Sequence, residues 1–494
     1  VTGTLGDDPE PPERSTALEP QDVRPGRRRM SPDRALRRAL SLMAATIIWP
    51  GSAQFLAGAR RLGQVVMGLW ALAVLGFLVA VLVIRPERET LIGWVTDPAT
   101  LDIARFGLAI VTIGWLGLFM DAWRLAVLPG LDLRRMAVVS VVNMVVIALA
   151  SGIVTVGWNT VSASRQVVTQ VFDATETTPP LQGRYNILLL GADSGDGREG
   201  LRPDSLNVVS IDAATGDSVM ISLPRNLQNV PFPEGSPMRE AYPYGFNCGE
   251  ECLLNAVHTA GEDRSDLYPD SADPGLDATI DAVEGATGLT MNYYVLINME
   301  GFASLVDAVG GITVNVPTPI AMFGETDRKR DEYLAAGRQK LDGNEALWFA
   351  RSRIQSDDFD RMARQKCLMV SMLDQLSPQT VLLNAGKIAD SSAQMLATNL
   401  PGSELAAFAD LALKARGTQI ATLSVVPPEY NTANPDFAQI HADIQALIDG
   451  TVETPATPDP ADETAEPTEP DPTEAGETEP TPDANITDDL AAAC

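Results

Sequence analysis

Three apolar runs, residues 64–84, roughly 104–123 and 136–158, each supply about the twenty residues that a helix needs to cross a hydrocarbon layer ~30 Å thick. Backbone N–H and C=O groups find no water in such a layer, so these segments must close their hydrogen bonds within themselves as helices. The 494-residue chain therefore cannot be one globule. A fourth apolar stretch, 39–58, is broken by Pro50-Gly51-Ser52. It reads equally well as a hairpin that enters the membrane and returns, or as an amphipathic helix on the inner surface. Further apolar runs follow it, which argues against a cleaved signal peptide.

Charge sets the expected orientation. Arg24, Arg27, Arg28, Arg29, Arg34, Arg37 and Arg38 precede the first apolar stretch, and Arg60, Arg61, Arg124, Arg134 and Arg135 sit in short loops. Arginine-rich loops favour the cytoplasm. Residues 1–38 then form a basic, disordered cytoplasmic tail and 39–158 a multi-pass region in the plasma membrane. Residues 159–177 are a linker, and 178–450 an extracytoplasmic domain. Residues 451–494 are rich in Pro, Thr, Glu and Asp and contain no Lys, Arg or aromatic residue, so they are expected to stay disordered. Much of the net charge of −29 lies there, and overall acidity says little about the site. The overall acidic balance speaks against nucleic acid, whose phosphates are met by a basic stripe.

The four cysteines, Cys248, Cys252, Cys367 and Cys494, all follow the last apolar run. An even number outside the membrane suggests two disulfides with three possible pairings. Cys248 with Cys252 and Cys367 with Cys494 is the preferred pairing, and free buried thiols are the alternative.

Within 178–450 strand and helix patterns alternate. Residues 186–190 read as a buried strand, and 206–211 and 218–223 as a hairpin around Ala213-Ala-Thr-Gly216-Asp217. Residues 293–297 and 312–316 are further strands, while 249–260, 276–286, 300–309 and 359–376 carry helical spacing. The expected fold is α/β, a mixed central sheet covered by helices on both faces.

Chemistry concentrates in a few runs. The strand Asn186-Ile-Leu-Leu-Leu-Gly-Ala-Asp193 ends on a carboxylate, Arg202-Pro-Asp204-Ser follows a short loop later, and Ser222-Leu-Pro-Arg225-Asn226 closes the hairpin. Carboxylate oxygens beside guanidinium groups suit a magnesium-bound phosphate ester. Downstream, Arg351 and Arg353 stand two apart, which on an extended backbone aims both one way. In Asp360-Arg361-Met-Ala-Arg364-Gln365 the spacing puts Arg361, Arg364 and Gln365 on one helical face. Guanidinium groups so gathered repel one another without an anion between them, and a pyrophosphate supplies one. Surface ion pairs with Asp357, Asp358 and Asp360 are the competing explanation. Gly195-Asp-Gly197-Arg-Glu-Gly200 matches a dinucleotide fingerprint, but a strand pattern follows it where a helix is required. Only His258 and His441 exist, so histidine chemistry is poorly supplied, a Ser-His-Asp system is not the reading, and His258 reads as structural.

These motifs, with Leu305-Val-Asp307-Ala-Val-Gly310-Gly311 and Leu341-Asp-Gly343-x-x-Ala-Leu between them, occur in the order found in the LytR-CpsA-Psr family of cell-wall glycopolymer transferases. The chain resembles that family over roughly 180–430. The acidic tail and paired cysteines resemble actinobacterial members. The resemblance implies a phosphotransferase that takes a glycan from a polyprenyl pyrophosphate carrier and joins it by a phosphodiester to a peptidoglycan sugar hydroxyl. By motif, Asp193 and Asp204 would hold Mg²⁺ (or Mn²⁺). Arg202, Arg225, Arg351, Arg353 and Arg364 would grip the pyrophosphate, Gln365 would orient it, and Arg361 would shape the same face. A polyprenyl tail would need an apolar tunnel, for which Ile280, Val283, Phe302, Leu305 and Val306 are candidates, ordinary core being the alternative. Asn226 departs from the family's Pro-Arg-Asp. The polar insertion 239–275, with Tyr242 and Tyr244, is a candidate glycan-side rim. Two rival functions are a pyrophosphatase and a non-catalytic binder of lipid-linked precursors with a regulatory role.

Overall fold

The structure is a computed structural model that describes residues 31–79, 93–94, 96–126, 132–193, 202–324, 332–354, 356–375, 396–416 and 420–450, together with 82, 90, 384 and 418. The chain divides into two compact units, Val1–Phe77 with Ile113–Ser151, and Leu78–Thr112 with Gly152–Cys494. The acidic stretch 451–494, the Gly-rich loop 195–200 and residues 1–30 lie outside the described residues.

Among the described residues the helices α1 (Pro32–Ile48), α2 (Ser52–Ala57), α3 (Arg60–Val79), α4 (Pro98–Ala126) and α5 (Leu133–Val171) precede the first strand. Helix α1 begins at Pro32, inside the stretch expected to be a disordered tail, because Pro at the first helical position costs no hydrogen bond. Residues 39–58 take a turned-back form, α1, a turn at Trp49–Gly51 and α2. Gly51 has φ +91°, and a Cβ there would stand 3.0 Å from the Gly63 carbonyl oxygen. The turn thus needs glycine twice over, for conformation and for its approach to α3. Gln54 on α2 is fully buried and donates Nε2 to the Leu118 carbonyl at 3.0 Å.

Helices α3, α4 and α5 are each long and apolar enough to cross a membrane, with mean hydropathies of 2.1, 1.8 and 2.4. Leu69, Leu72, Ile110, Ile113, Val145 and Ile153 remain exposed on them. Such surface associates the chain with a lipid phase. Helix α5 has 39 residues, about 58 Å at 1.5 Å per residue. The expected linker 159–177 is accordingly helical as far as Val171.

The second unit holds a six-stranded sheet built from β1 (Arg184–Asp193), β2 (Arg202–Asp212), β3 (Ser218–Leu223), β4 (Tyr293–Asn298), β9 (Leu396–Thr398) and β10 (Ala421–Ser424), in the order β10-β3-β2-β1-β4-β9. Pairs β1/β4 and β3/β10 are parallel and the others antiparallel. Strand alternation sorts its two faces. Leu188, Leu190, Leu206, Val208 and Ile221 pack on one face against the helices Pro274–Thr287 (α8) and Phe437–Ile448 (α13). Leu189, Gly191, Asn207, Val295 and Ile297 point to the other.

Over that second face lie α9 (Met299–Ala308), α10 (Gly343–Arg351) and α11 (Asp358–Gln375), backed by a ribbon of β5 (Ile312–Val316) and β8 (Gly337–Leu341). Residues 312–316 are thus a strand as expected, but in this separate ribbon. The small strands β6 (Ile320–Ala321) and β7 (Tyr333–Leu334) pair nearby, and short helices α6 (Pro237–Ala241) and α7 (Val257–Asp263) and the helix α12 (Leu405–Ala415) complete the elements discussed. The expected helix at 249–260 is only partly so, with a 3₁₀ turn at Leu254–Ala256 leading into α7. Two of the recognised motifs are architectural. Asp342 and Glu345 form a capping box at the start of α10, and Gly343 N–H donates to Asp307 Oδ1 at 2.7 Å. A Cβ on Gly343 would lie 2.0 Å from the Ala303 carbonyl oxygen, so only glycine lets α10 close on α9.

Cys248 and Cys252 form a disulfide. Cys367 is also disulfide-bonded, and Cys494, the partner expected for it, lies outside the described residues. Gly285 sits where α8 meets the Pro231 carbonyl oxygen, 1.8 Å from an added Cβ. Gly285→Ala should destabilise the detergent-solubilised chain by about 2–3 kcal/mol despite alanine's better helix propensity, seen as a melting temperature lower by about 5–10 °C. An unchanged melting temperature would contradict this packing.

Candidate active site

The site begins with an irregularity in β2. Register with β1 runs Gly191 to Ser205 and then Ala192 to Pro203, leaving Asp204 with no partner across the ladder. Pro203 has no N–H to give a ladder, which is why proline in sheets settles at edges and bulges. A bulge bends its strand and re-aims side chains. Here it brings the consecutive residues Asp204 and Ser205 to the same cavity, where regular alternation would separate them.

Arg361, on α11 and 4% exposed, holds the bulge. Its Nη1 donates to the Asp204 carbonyl oxygen at 2.8 Å, while Nη2 and Nε donate to the two oxygens of Asp358 at 2.9 and 3.2 Å. Asp358 in turn lies 3.3 Å from Arg225 Nη2, and Arg225 Nη1 donates to Asp204 Oδ1 at 2.7 Å. Bulge, α11 and the Arg225 loop therefore form one closed circuit of charge-assisted bonds. Burial alone would raise the Asp358 carboxyl, but hydrogen bonding and charge from Arg361, then Arg225 and Arg353, outweigh it and hold it below the usual carboxylate range. Burial likewise opposes the Arg225 charge, and Asp204 and Asp358 more than offset it.

Above this circuit opens a cavity of about 720 Å³. Arg202, Asp204, Arg225, Arg351, Arg353, Arg361 and Gln365 line its polar part, and Leu189, Val295, Ile297, Met299, Phe302, Leu305, Leu347, Leu368, Met369 and Met372 its apolar part. Arg351 is the last residue of α10, its guanidinium carbon 5.0 Å from the Trp348 ring centre, and Arg353 follows beyond the helix end. The pair is thus presented by a helix terminus and not by the extended backbone expected. Gln365 donates Nε2 to the Ala350 carbonyl at 3.2 Å. Arg202 is exposed at the start of β2.

Several expected site residues lie elsewhere. Arg364 does not line the cavity. Its guanidinium donates to the carbonyl oxygens of Phe349, at 2.8 Å, and Ser352, and to Ser356 Oγ. It is spent on the free carbonyls at the end of α10, an arrangement that positions Arg351 and Arg353. Ile280 and Val283 are on α8, across the sheet from the cavity. Val283 is fully buried in that core, and Ile280 borders a separate surface hollow with Asp277, Asp281 and Glu284. Val306 is fully buried in the core beneath α9. Only Phe302 and Leu305 of the five apolar candidates reach the cavity. Tyr242 packs on Phe232 and Phe246, Tyr244 is solvent-exposed, and neither lines the cavity. The insertion contributes Asn255 instead, whose N–H donates to the Arg225 carbonyl at 3.0 Å. His258 is buried with its ring 3.6 Å from Asp273, and burial pushes its imidazole down despite Asp273 and Glu262.

Sequence reasoning missed Asp358 as the hub, and Met369 and Met372. Their spacing from Gln365 continues one helical stripe, a readable signal. Asp193 ends β1 opposite Arg202, and its side chain lies outside the described residues. For a divalent ion the fit is testable at Asp204. The carboxylate is about one-third exposed, and Oδ2 has no hydrogen-bond partner among the described residues. Magnesium characteristically takes one or two carboxylates and completes its shell with water and phosphate oxygens, and Asp204 Oδ2 offers one such oxygen. Among the described residues there is no group of three or more His, Cys, Asp or Glu placed to hold a metal alone.

Because Asp358 is depressed in the folded state, its stabilisation is present above its unfolded pKa of about 3.9 and lost as pH falls through the folded value. Asp358→Asn should cost about 3 kcal/mol at neutral pH by stranding two guanidiniums, and the gap from the unmutated chain should close below about pH 4. Thermal melts across pH 3–8 check this; a gap that persists unchanged to pH 3 would contradict it.

The LytR_cpsA_psr family model matches residues 155–446. The chain is 28% identical over 245 residues to the polyisoprenyl-teichoic acid–peptidoglycan teichoic acid transferase TagV of Bacillus subtilis, covering 49% of this chain and 56% of that protein. It is 30% identical over 223 residues to TagU of Oceanobacillus iheyensis, which bears the same transferase name, covering 44% and 60%. The chain thus spans little more than half the length of these relatives. Against the crystal structure of B. subtilis TagV the TM-score is 0.40 with 25% identity, covering 55% of this chain and 98% of that one. With more than half of its length matched by the family model, the chain belongs to the LytR-CpsA-Psr family.

Proposed function

We propose that this protein transfers a glycopolymer from a polyprenyl pyrophosphate carrier to a peptidoglycan sugar hydroxyl, forming a phosphodiester. The observation that carries this reading is a single cavity lined both by Arg202, Arg225, Arg351 and Arg353 and by Phe302, Leu305, Met369 and Met372. A ligand that is doubly anionic at its head and hydrocarbon at its tail satisfies both kinds of lining. The names of the relatives, transferases acting between polyisoprenyl-linked teichoic acid and peptidoglycan, support the same chemistry.

In this reading α3, α4 and α5 cross the plasma membrane, the amino terminus is cytoplasmic, and the domain from about residue 178 stands outside, within reach of lipid and wall. Arg351 and Arg353 bind the pyrophosphate oxygens from the end of α10, and Arg225 and Arg202 from the side of the bulge. Gln365 turns the phosphoryl group toward the acceptor. The acceptor oxygen bonds to the glycan-bearing phosphorus as the bond to the carrier phosphate breaks, and polyprenyl monophosphate leaves. Fixed guanidiniums stabilise the charge passing onto that leaving group. The acceptor proton goes to a carboxylate of Asp193 or Asp204. Those two residues would also hold Mg²⁺ or Mn²⁺, which neutralises pyrophosphate charge when bound.

The test incubates the detergent-solubilised full chain with a polyprenyl-pyrophosphate-linked glycan, Mg²⁺ and peptidoglycan oligomers, with products identified by mass spectrometry. Acceptor-linked glycan is expected, reduced at least about 10²-fold in Arg351→Ala and suppressed by chelation. Phosphate-terminated glycan without acceptor-linked product would contradict transfer and point to a pyrophosphatase.

A further inference from the structure

The cavity floor contains a directed chain of hydrogen bonds that the guanidinium cluster does not account for. Ser222 on β3, Asn207 on β2 and Ser205 on β2 face the same side of the sheet, Ser222 and Asn207 being register partners. Ser222 Oγ donates to Asn207 Oδ1 at 2.7 Å, and Asn207 Nδ2 donates to Ser205 Oγ at 3.0 Å. Ser222 and Asn207 are buried, 1% and 5% exposed. Ser205 borders the cavity, and its own hydroxyl proton has no acceptor among the described residues.

The direction is fixed by what each group can do. An amide oxygen only accepts and an amide nitrogen only donates. Turning the Asn207 amide over would give Ser222 a donor and strand its proton in the interior, a costly arrangement. In the observed orientation the Ser222 proton has its acceptor in Asn207 Oδ1 and makes no bond to Ser424, its register neighbour on β10. The orientation that satisfies the buried serine also occupies a lone pair of Ser205 from below and leaves its proton for the cavity. Ser205 is held there closely, since a Cβ on the facing Gly191 would come within 3.1 Å of Ser205 Cβ.

We propose that the Ser205 hydroxyl donates a hydrogen bond to the anionic head group of the substrate, and that Asn207 and Ser222 are positioning residues that aim its proton. The inference rests on the diphosphate-lipid reading of the cavity. A neutral hydroxyl adds one more directional donor beside the guanidinium forks without adding charge. It also gives the bulge a second purpose, because the irregularity that frees Asp204 sets Ser205 beside it in the cavity.

The test measures binding of farnesyl diphosphate and of farnesol to the detergent-solubilised full chain by calorimetry, for the unmutated protein, Ser205→Ala and Ser222→Ala. Ser205→Ala should weaken farnesyl diphosphate by about tenfold or more, the scale of a lost hydrogen bond to a charged group. Ser222→Ala, which touches no ligand, should weaken it severalfold by freeing the amide to turn. Farnesol affinity should be unmoved in both, which a merely structural role would not achieve. Ser205→Ala binding farnesyl diphosphate like the unmutated protein, or both ligands weakening in parallel, would overturn the inference while leaving the cavity's assignment intact. An unmutated protein that binds farnesyl diphosphate no better than farnesol would overturn that assignment and the inference with it.

Discussion

The hydrogen bond from Arg361 to the Asp204 carbonyl is the interaction on which the site depends. A bulge in a central strand leaves backbone unmatched in the ladder, and an unpaired buried carbonyl is destabilising. Arg361 supplies the missing donor from α11 and is itself neutralised by Asp358. The same carboxylate then reaches Arg225. One buried circuit therefore sets the bulge, the pitch of α11 and the position of the Arg225 loop together. Removing any member leaves a charge or a carbonyl without its partner.

A second, independent clamp sets the other arginines. Gly343 allows α10 to close on α9, Asp307 and the capping box fix its start, and Arg364 takes up the carbonyls at its end. Arg351 and Arg353 are delivered at that terminus. Two sets of guanidiniums thus reach one cavity from different layers, on supports tied by buried hydrogen bonds. Such preorganisation is what electrostatic stabilisation of a phosphoryl group requires, since little is then left to rearrange during reaction.

Much of this was readable in the sequence, and the misses share physical causes. The apolar runs, the strand into Asp193, the hairpin at 213–217 and the helices ending in the 300s and 370s follow from periodicity alone. Asp204, Arg225, Arg351, Arg353 and Gln365 converge as their motifs suggested. Periodicity says that a side chain is buried, not against what, so Val283 and Phe302 looked alike though they occupy opposite sides of the sheet. Arg364 shares a helical face with Gln365, yet lies nearer the carbonyls of α10 than the cavity. Spacing cannot foresee that an arginine meets free carbonyl groups before it meets a ligand. The bulge had a signal in Pro203, whose missing N–H disqualifies it from a regular central ladder. Asp358 passed for a surface ion-pair partner because only the tertiary fold brings Arg225 to it.

The most direct measurement is a crystal structure of the full chain with farnesyl diphosphate and Mg²⁺. Both phosphorus atoms are expected among Arg202, Arg225, Arg351 and Arg353, with the Asp204 carboxylate toward them and the isoprenoid along Phe302, Leu305 and Met369. A diphosphate bound away from those arginines, or an isoprenoid running along α8 on the opposite face of the sheet, would contradict this placement.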